Sequence, residues 1–123
     1  MELVDLNIYQ ISMKIGEEVW KIVMNWDSFA KYTLGKQWVN SSDSIAQNIS
    51  EGYGRFHFKD SKNFYYFSRG SLLETMTILT KAFNRNLVSD EEFSQMQSEL
   101  TDLKVRLNNF INRTGSNQNS KVL

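Results

Sequence analysis

The sequence contains no cysteine and no proline, and only six glycines and one histidine among its 123 residues. The absence of cysteine excludes disulfides, thiolate metal sites and a cysteine nucleophile. The absence of proline and the scarcity of glycine favour long helices over loop-rich or all-β folds. No apolar run approaches the roughly 18 residues of a membrane-spanning helix, and the N-terminus does not resemble a signal peptide. We therefore expect a soluble, cytoplasmic protein.

Excess charge is also lacking, because 14 basic side chains balance 14 acidic ones. A neutral balance argues against strong non-specific binding to nucleic acid. The charges are nevertheless unevenly distributed, since residues 51–86 carry six basic and three acidic side chains. The middle of the chain is its basic part.

The last helix has the clearest pattern. Ser89 and Glu92 form the two ends of a capping box, which marks a helix N-terminus. Apolar residues then follow at alternating spacings of three and four, which predicts an amphipathic helix ending at Gly115: Phe93, Met96, Leu100, Leu103, Leu107 and Phe110. We expect one domain over residues 1–114 and a disordered polar tail over residues 115–123.

Three earlier helices are predicted, over residues 5–25, over residues 35–52 and from residue 60 or 61 to residue 86. A short turn near residues 28–32 precedes the second helix. Short connections imply antiparallel neighbours, so the predicted fold is all-α, an antiparallel up-down four-helix bundle. The first and third helices are apolar on more faces than such a bundle covers. We expect these surplus faces to be buried between subunits of a homo-oligomer.

The second and third helices carry a polar cluster. Its members on the second helix share one face by their spacing, and Ser71, in an apolar stripe of the third helix, is expected to point inward beside Glu74. The cluster suggests either an acid/base site or a network of hydrogen bonds between helices, with Gly52, Gly70 and Ser71 small so that two backbones can approach. The residues on the second helix are Ser44, Asn48 and Glu51.

The structural interpretation of this cluster is favoured. A nucleophilic serine needs a base, usually histidine, and the single histidine, His57, lies in a predicted loop. Metal centres in bundles need paired Glu-x-x-His motifs, and zinc sites need several His or Cys ligands. We expect no metal, no cofactor and no enzymatic activity.

A basic and aromatic segment at residues 53–59 continues onto the third helix. Cations bind phosphate and aromatic rings stack on bases, so this pattern is typical of proteins that bind single-stranded or looped RNA. In the alternative interpretation, Phe56 and Phe58 close the end of the bundle and the neighbouring cations are merely solvated. The candidate contacts are Arg55, Lys59, Lys62 and Arg69.

The segment from Ser44 to Arg55 reads S-I-x-x-N-I-x-E-G-x-G-R, and residues 70–74 read G-S-L-x-E. Together these motifs resemble the bacterial "four helix bundle protein" family, first noticed as open reading frames in intervening sequences of 23S ribosomal RNA genes. The resemblance extends more loosely over about residues 3–113. The chain departs from the family at Trp26-Asp27, where relatives commonly have Phe-Pro, and in its neutral net charge.

The resemblance implies an antiparallel four-helix bundle that assembles into a ring, typically a pentamer, with no catalytic activity. It also implies kinship with the accessory variability determinant proteins of diversity-generating retroelements, which bind a reverse transcriptase and nucleic acid through a basic surface. We interpret most of the matching residues as architectural: Ser44, Asn48, Glu51, Gly52, Arg55, Ser71 and Glu74.

Three functions follow from the sequence. The first is a non-enzymatic homo-oligomer that binds structured RNA, DNA or a nucleic-acid enzyme such as a reverse transcriptase. The second is a protein-interaction scaffold that binds no nucleic acid. The third is an enzyme that uses Ser71 and Glu74, which has only the polar cluster in its favour.

Overall fold

The computed structural model describes residues 1–115, which form four long helices and no strand. A short 3-10 turn precedes the first long helix, and a helical turn followed by a π-helical segment precedes the second. The long helices are α1 (Asn7–Met24), α2 (Lys36–Tyr53), α3 (Phe58–Asn84) and α4 (Asp90–Arg113). The prediction of an all-α chain with four helices is confirmed.

The four helices pack around one hydrophobic core. Each helix contacts its neighbours in the chain, α1 also contacts α4, and the α2–α3 pair has the most extensive interface. None of the described helices is both long and apolar enough to traverse a bilayer. The largest fully buried side chains of the core are Trp38, Ile8, Ile15, Ile45, Ile49, Leu72, Leu79, Met96, Leu100, Leu103, Leu107 and Ile111.

Helix α4 begins as its sequence predicts. The Glu92 amide donates to Ser89 Oγ at 3.0 Å, and the Ser89 amide donates to Glu92 Oε1 at 2.8 Å, which completes the capping box. The apolar stripe faces the core, and the helix ends at Arg113, two residues before Gly115 with its positive φ of 86°. The rest of the predicted tail, residues 116–123, lies outside the described residues.

The segment before α2 is more helical than predicted. Asp27 Oδ1 accepts a hydrogen bond from the Ala30 amide at 3.0 Å, and this cap begins a helical turn at Ser28. The turn continues through the π-helical segment Lys31–Gly35 directly into α2. A Cβ on Gly35 would lie 2.7 Å from Val23 Cγ1, so a larger residue would push this segment away from α1.

Trp26 and Asp27, which depart from the family pattern, have clear structural roles. The Trp26 ring stacks on Trp38 with centroids 5.7 Å apart. Its indole N–H donates to the Leu87 carbonyl oxygen at 2.8 Å, which ties the α1–α2 link to the loop before α4. Asp27 caps the helical turn that follows. A proline at position 27 could not supply that side-chain cap.

Polar contacts join α2 to α3 inside the core. The Trp38 indole N–H donates to the Thr75 carbonyl oxygen at 3.1 Å, and Ser68 Oγ donates to the Ile45 carbonyl oxygen at 2.8 Å. The hydroxyl oxygens of Ser41 and Thr75 are 3.0 Å apart. Because these buried groups are hydrogen-bonded, they fix the pairing of the two helices without a large desolvation cost.

The glycines of the α2–α3 region differ in their surroundings. A Cβ on Gly52 would lie 2.6 Å from the Tyr65 ring and 2.9 Å from the Ser61 carbonyl oxygen, so the predicted close approach is confirmed there. A Cβ on Gly70 would meet nothing within 4 Å, so the same prediction is wrong for Gly70. Gly54 ends α2 with an ordinary φ of −82°, not the left-handed backbone that its position suggests.

Candidate nucleic-acid interface

Two residues of the predicted polar face of α2, Ser44 and Asn48, make their hydrogen bonds within that helix. Ser44 Oγ donates to the Asn40 carbonyl oxygen at 2.8 Å, and Asn48 Nδ2 donates to the Ser44 carbonyl oxygen at 2.9 Å. Both are local bonds that exposed or half-buried polar side chains commonly make on a helix. The side chains whose hydrogen bonds link α2 to α3 are those of Trp38, Ser41, Ser68 and Thr75, which the predicted cluster does not include.

The expected inward pair of Ser71 and Glu74 is not formed. Ser71 is half-buried and its carbonyl oxygen accepts from Thr75 Oγ1 at 2.8 Å, while Glu74 is exposed. The sequence of α3 has three apolar stripes, one of which contains Ser71. The stripe that faces the core is a different one and contains Tyr65, Leu72 and Leu79. Over the described residues, no three His, Asp or Glu side chains are grouped closely enough to hold a metal ion.

Arg55 lies at the end of the bundle where α2 gives way to α3. Its Nη2 donates to Glu51 Oε1 at 2.7 Å, and its guanidinium lies 4.5 Å from the centre of the Phe64 ring. Both partners of the ion pair are substantially exposed, at 43% and 54% of their side-chain surface. Its net contribution to stability is therefore small, and Glu51 offsets the Arg55 charge for any ligand.

Arg69 lies farther along α3 and bridges to α4. Its Nη1 donates to Asn108 Oδ1 at 3.1 Å, and its guanidinium lies 5.0 Å from the centre of the Tyr66 ring. Phe64 and Tyr66 are two residues apart, which is about 200° of rotation on a helix of 3.6 residues per turn. Arg55 and Arg69 therefore contact opposite sides of α3, and the structure does not bring the four predicted cations into one site.

Three of those cations do share one side of α3. Lys59, Lys62, Tyr66 and Arg69 follow one another at spacings of three, four and three, which places them in one stripe along the helix. Lys59 is exposed and Lys62 is half-buried. The ten residue steps from Lys59 to Arg69 span about 15 Å at a rise of 1.5 Å per residue.

Sequence reasoning missed a fourth cation of this surface, Lys104. It lies one turn before Asn108 on α4, so it flanks the Arg69–Asn108 bond from the other helix. A search for charge on α4 opposite the Lys62–Arg69 stripe would have found it. We call the surface formed by Lys59, Lys62, Arg69 and Lys104 the basic flank.

Carboxylates are missing from the basic flank and gather on the other side of the bundle. The other helix residues three or four positions from its members are neutral: Phe58, Asn63, Tyr65, Tyr66, Leu72 and Leu73 on α3, and Leu100, Thr101, Leu107 and Asn108 on α4. A groove of about 490 Å³ between α1 and α2 is lined by Glu17, Asp43 and Glu51 instead. Burial, followed by the charge of Glu17, raises the pKa of Asp43. A neutral net charge is therefore compatible with a locally basic surface.

The loop before α3 does not close the bundle as the alternative interpretation expected. Phe56 is 93% exposed and touches the His57 ring edge-on with centroids 5.0 Å apart. Phe58 is 44% exposed and lies beside Gly115. Phe56 is therefore a protruding ring, and only Phe58 contributes to closing this end.

The contact between α1 and α4 contains a charged cluster. Lys14 Nζ lies 3.6 Å from both Glu18 Oε1 and Glu99 Oε1. Burial raises the pKa of Glu18 to about 7, and its hydrogen bond to Glu99 and the Glu99 charge add to this shift, against the opposing effect of Lys14. Glu18 therefore exchanges its proton near neutral pH.

Comparisons with known proteins find one matching protein family and a solved structure with a similar fold. The family model described as "23S rRNA-intervening sequence protein" matches residues 4–109. A protein of unknown function from the S23 ribosomal protein family of Bacteroides thetaiotaomicron has a similar crystal structure, with a TM-score of 0.77 at 19% sequence identity. The match covers 85% of this chain and 97% of that one, and it shows the fold alone. No curated protein matches.

Proposed function

Because the chain belongs to the family of 23S rRNA-intervening sequence proteins, we propose that it is a non-enzymatic RNA-binding protein of the cytoplasm. The basic flank is the proposed contact surface. The observation that carries this proposal is the grouping of Lys59, Lys62, Arg69 and Lys104 on one side of the bundle, with no carboxylate among the neighbouring side chains. Such a surface attracts phosphate even on a neutral protein.

The flank suits single-stranded or looped RNA better than a regular duplex. Tyr66 is 43% exposed within the row of cations, so one face of its ring can stack on an unpaired base. Arg69 lies against the same ring, and a guanidinium beside an aromatic ring strengthens such stacking. Lysines on either side can hold the phosphates of the neighbouring nucleotides.

A scaffold role is the alternative, in which the flank binds an acidic protein surface and no RNA. The exposure of Phe56 favours this role, because a protruding aromatic ring is a common anchor at protein interfaces. The suggested kinship with accessory variability determinant proteins would make a nucleic-acid enzyme, such as a reverse transcriptase, the partner. The two roles are distinguished by whether the protein binds RNA when no other protein is present.

We would test the proposal by fluorescence anisotropy with a labelled RNA hairpin that has an unpaired loop. The double variant Lys62→Glu/Lys104→Glu should bind at least about tenfold more weakly than the wild type, since several phosphate contacts are reversed in charge. Arg69 is left intact because its bond to Asn108 also supports the fold.

Two charge reversals off the flank serve as matched controls. Arg55→Glu and Arg106→Glu each remove an arginine that is paired with a carboxylate one turn away, and both should retain RNA affinity within about twofold. If Arg55→Glu abolished binding and the flank variant did not, the RNA would bind at the loop between α2 and α3 and not on the basic flank. If the wild type bound no RNA at low salt, the scaffold role would remain.

We also infer an antiparallel up-down order of the helices. Trp38, Ile45 and Gly52 of α2 meet Thr75, Ser68 and Ser61 of α3, so residue numbers rise along one helix as they fall along the other. Between the α1 and α4 segments, Trp26 contacts Leu87 and Lys14 contacts Glu99. Residue numbers there also rise along one segment as they fall along the other. Antiparallel contacts in these two helix pairs around one core support an up-down bundle.

Self-association is the last part of the proposal. Large apolar side chains stay exposed on the two helices whose surplus stripes predicted an oligomer, and a monomer rarely exposes so many without a partner. The resemblance to the bundle family suggests five subunits. The exposed large apolar residues on these helices are Met13, Trp20 and Met24 on α1, and Phe58, Tyr66, Phe67 and Leu73 on α3.

A further inference from the structure

Gly70 lies near the middle of α3, where glycine weakens a helix relative to alanine. Nothing among residues 1–115 explains this choice, because an added Cβ would meet no atom of theirs within 4 Å. Gly52, by contrast, has no room for a Cβ. A glycine that leaves open space on the surface of a helix provides a depression into which another molecule can reach.

The side chains around Gly70 form the walls of this depression. Phe67, Leu73 and Glu74 lie three or four residues before and after it, which makes them its direct neighbours on the helix surface. The two apolar side chains are 58% and 46% exposed, and Glu74 is also exposed. We call Phe67, Gly70, Leu73 and Glu74 the Gly70 socket.

A complementary surface lies across α1 and the start of α2. Trp20, Met24 and Tyr32 are 53%, 58% and 74% exposed there, and they line a groove of about 470 Å³. Lys31 and Lys36 line the same groove, and no carboxylate does. We call these five residues the Trp20 patch. It has bulky rings where the socket has a depression, and lysines where the socket has a carboxylate.

We propose that the Gly70 socket of one copy receives the Trp20 patch of a second copy. This inference rests on the self-association proposed above and adds the two surfaces. The indole of Trp20 would lie over Gly70 between the apolar walls, and Glu74 would meet Lys31 or Lys36. The socket itself contains no cation, so a contact between two sockets would give Glu74 no lysine from that surface.

The contact is therefore head-to-tail, because each copy uses two different surfaces. After one contact forms, the pair still presents one unused socket and one unused patch. Such contacts build closed rings when the rotation between copies closes, and open filaments when it does not. Blocking one surface on one chain and the other surface on a second chain must stop growth at two copies.

Analytical ultracentrifugation of two variants tests this arrangement. Trp20→Asp disables the patch and keeps the socket, whereas Leu73→Asp disables the socket and keeps the patch. Each variant alone should be monomeric at a concentration where the wild type assembles, and an equimolar mixture should form a one-to-one dimer. Val105→Asp is the control, since Val105 is 54% exposed on α4 outside both surfaces and should assemble like the wild type.

A charge exchange guards against variants that fail to fold. Glu74→Lys changes an exposed side chain and should weaken assembly at least tenfold, and adding Lys31→Glu and Lys36→Glu to the same chain should restore it. A monomeric wild type would overturn both the self-association and the surfaces. A wild type that assembles, with Trp20→Asp or Leu73→Asp assembling equally well or with a mixture that stays monomeric, would overturn only the surfaces.

Discussion

Gly52 and Gly70 show that packing within the chain restricts the residues on the inner side of α3 but not those on its outer side. Gly52 of α2 faces the inner side, where the Tyr65 ring and the Ser61 carbonyl oxygen leave no room for a methyl group. Gly70 lies on the outer side of α3 itself, with open space where its Cβ would be. One glycine is explained by the chain's own packing, and the other is not.

The same division applies to the rest of the helix. On the inner side, Ser68 and Thr75 make hydrogen bonds to α2, so each polar group has a structural reason. On the outer side and the basic flank, Phe67, Leu73 and Lys59 are exposed. The surfaces that bind RNA or a second copy in our proposals are those that the fold itself leaves unused.

Substituting the inner glycine should have the largest effect on stability. Gly52→Ala forces α2 away from the α3 backbone, so we expect the free energy of unfolding to fall by about 3 kcal/mol, the upper part of the usual range for overpacking. Urea denaturation followed by circular dichroism measures it. Gly54→Ala is the matched control, because its Cβ would lie an ordinary 3.7 Å from the nearest atom. Equal losses in the two variants would contradict the close approach at Gly52.

The α1–α4 contact should make stability depend on pH. Burial and the neighbouring Glu99 raise the pKa of Glu18 from its ordinary value of 4.5 to about 7 in the folded chain. The unfolded chain therefore loses this proton first, so stability should decline as pH rises from about 4.5 to about 7. Glu18→Gln cannot titrate, and its thermal unfolding should show less of this decline. An unchanged pH profile in the variant would assign the dependence to other groups.

Substituting the outer glycine should have a smaller effect of the opposite sign. Gly70→Ala should raise the free energy of unfolding of the monomer by about 1 kcal/mol, because alanine is the better helix former and its methyl group meets nothing. The comparison is made by chemical denaturation at a concentration where the chain is monomeric. Destabilisation of the monomer would show that Gly70 has a structural role within the chain.

Removing the exposed ion pair should have the smallest effect. Arg55→Gln breaks the bond to Glu51 at the surface, and we expect a loss of a few tenths of a kcal/mol, about the usual value for an exposed pair on a helix. Thermal unfolding at low and high salt measures it, and salt should reduce the difference. A loss above about 1 kcal/mol would mean that the contact of Arg55 with Phe64 helps to hold the end of the bundle.

The sequence predicts best where the information is local. The capping box of Ser89 and Glu92 and the stripe that follows it determine α4 without reference to the other helices. On α3 three apolar stripes compete, and only packing against α2 and α4 selects the one with Leu72 and Leu79. The expectation that Ser71 faces inward failed for this reason.

The candidate site required the same non-local information. Lys59, Lys62 and Arg69 were predicted as contacts, and their spacing on one helix is enough to group them. Arg55 was grouped with them only because it is close in sequence, and the structure places it against the opposite side of α3. Lys104 was missed because it joins the flank only when α4 is packed beside α3.

The salt dependence of RNA binding tests the central claim most directly. Four phosphate contacts on a single strand predict that the logarithm of the association constant falls with the logarithm of salt concentration at a slope of about 3. Replacing Lys104 by glutamine should lower that slope by about 0.7, as expected for the loss of one phosphate contact. A slope near zero, or one that Lys104→Gln leaves unchanged, would contradict binding through the basic flank.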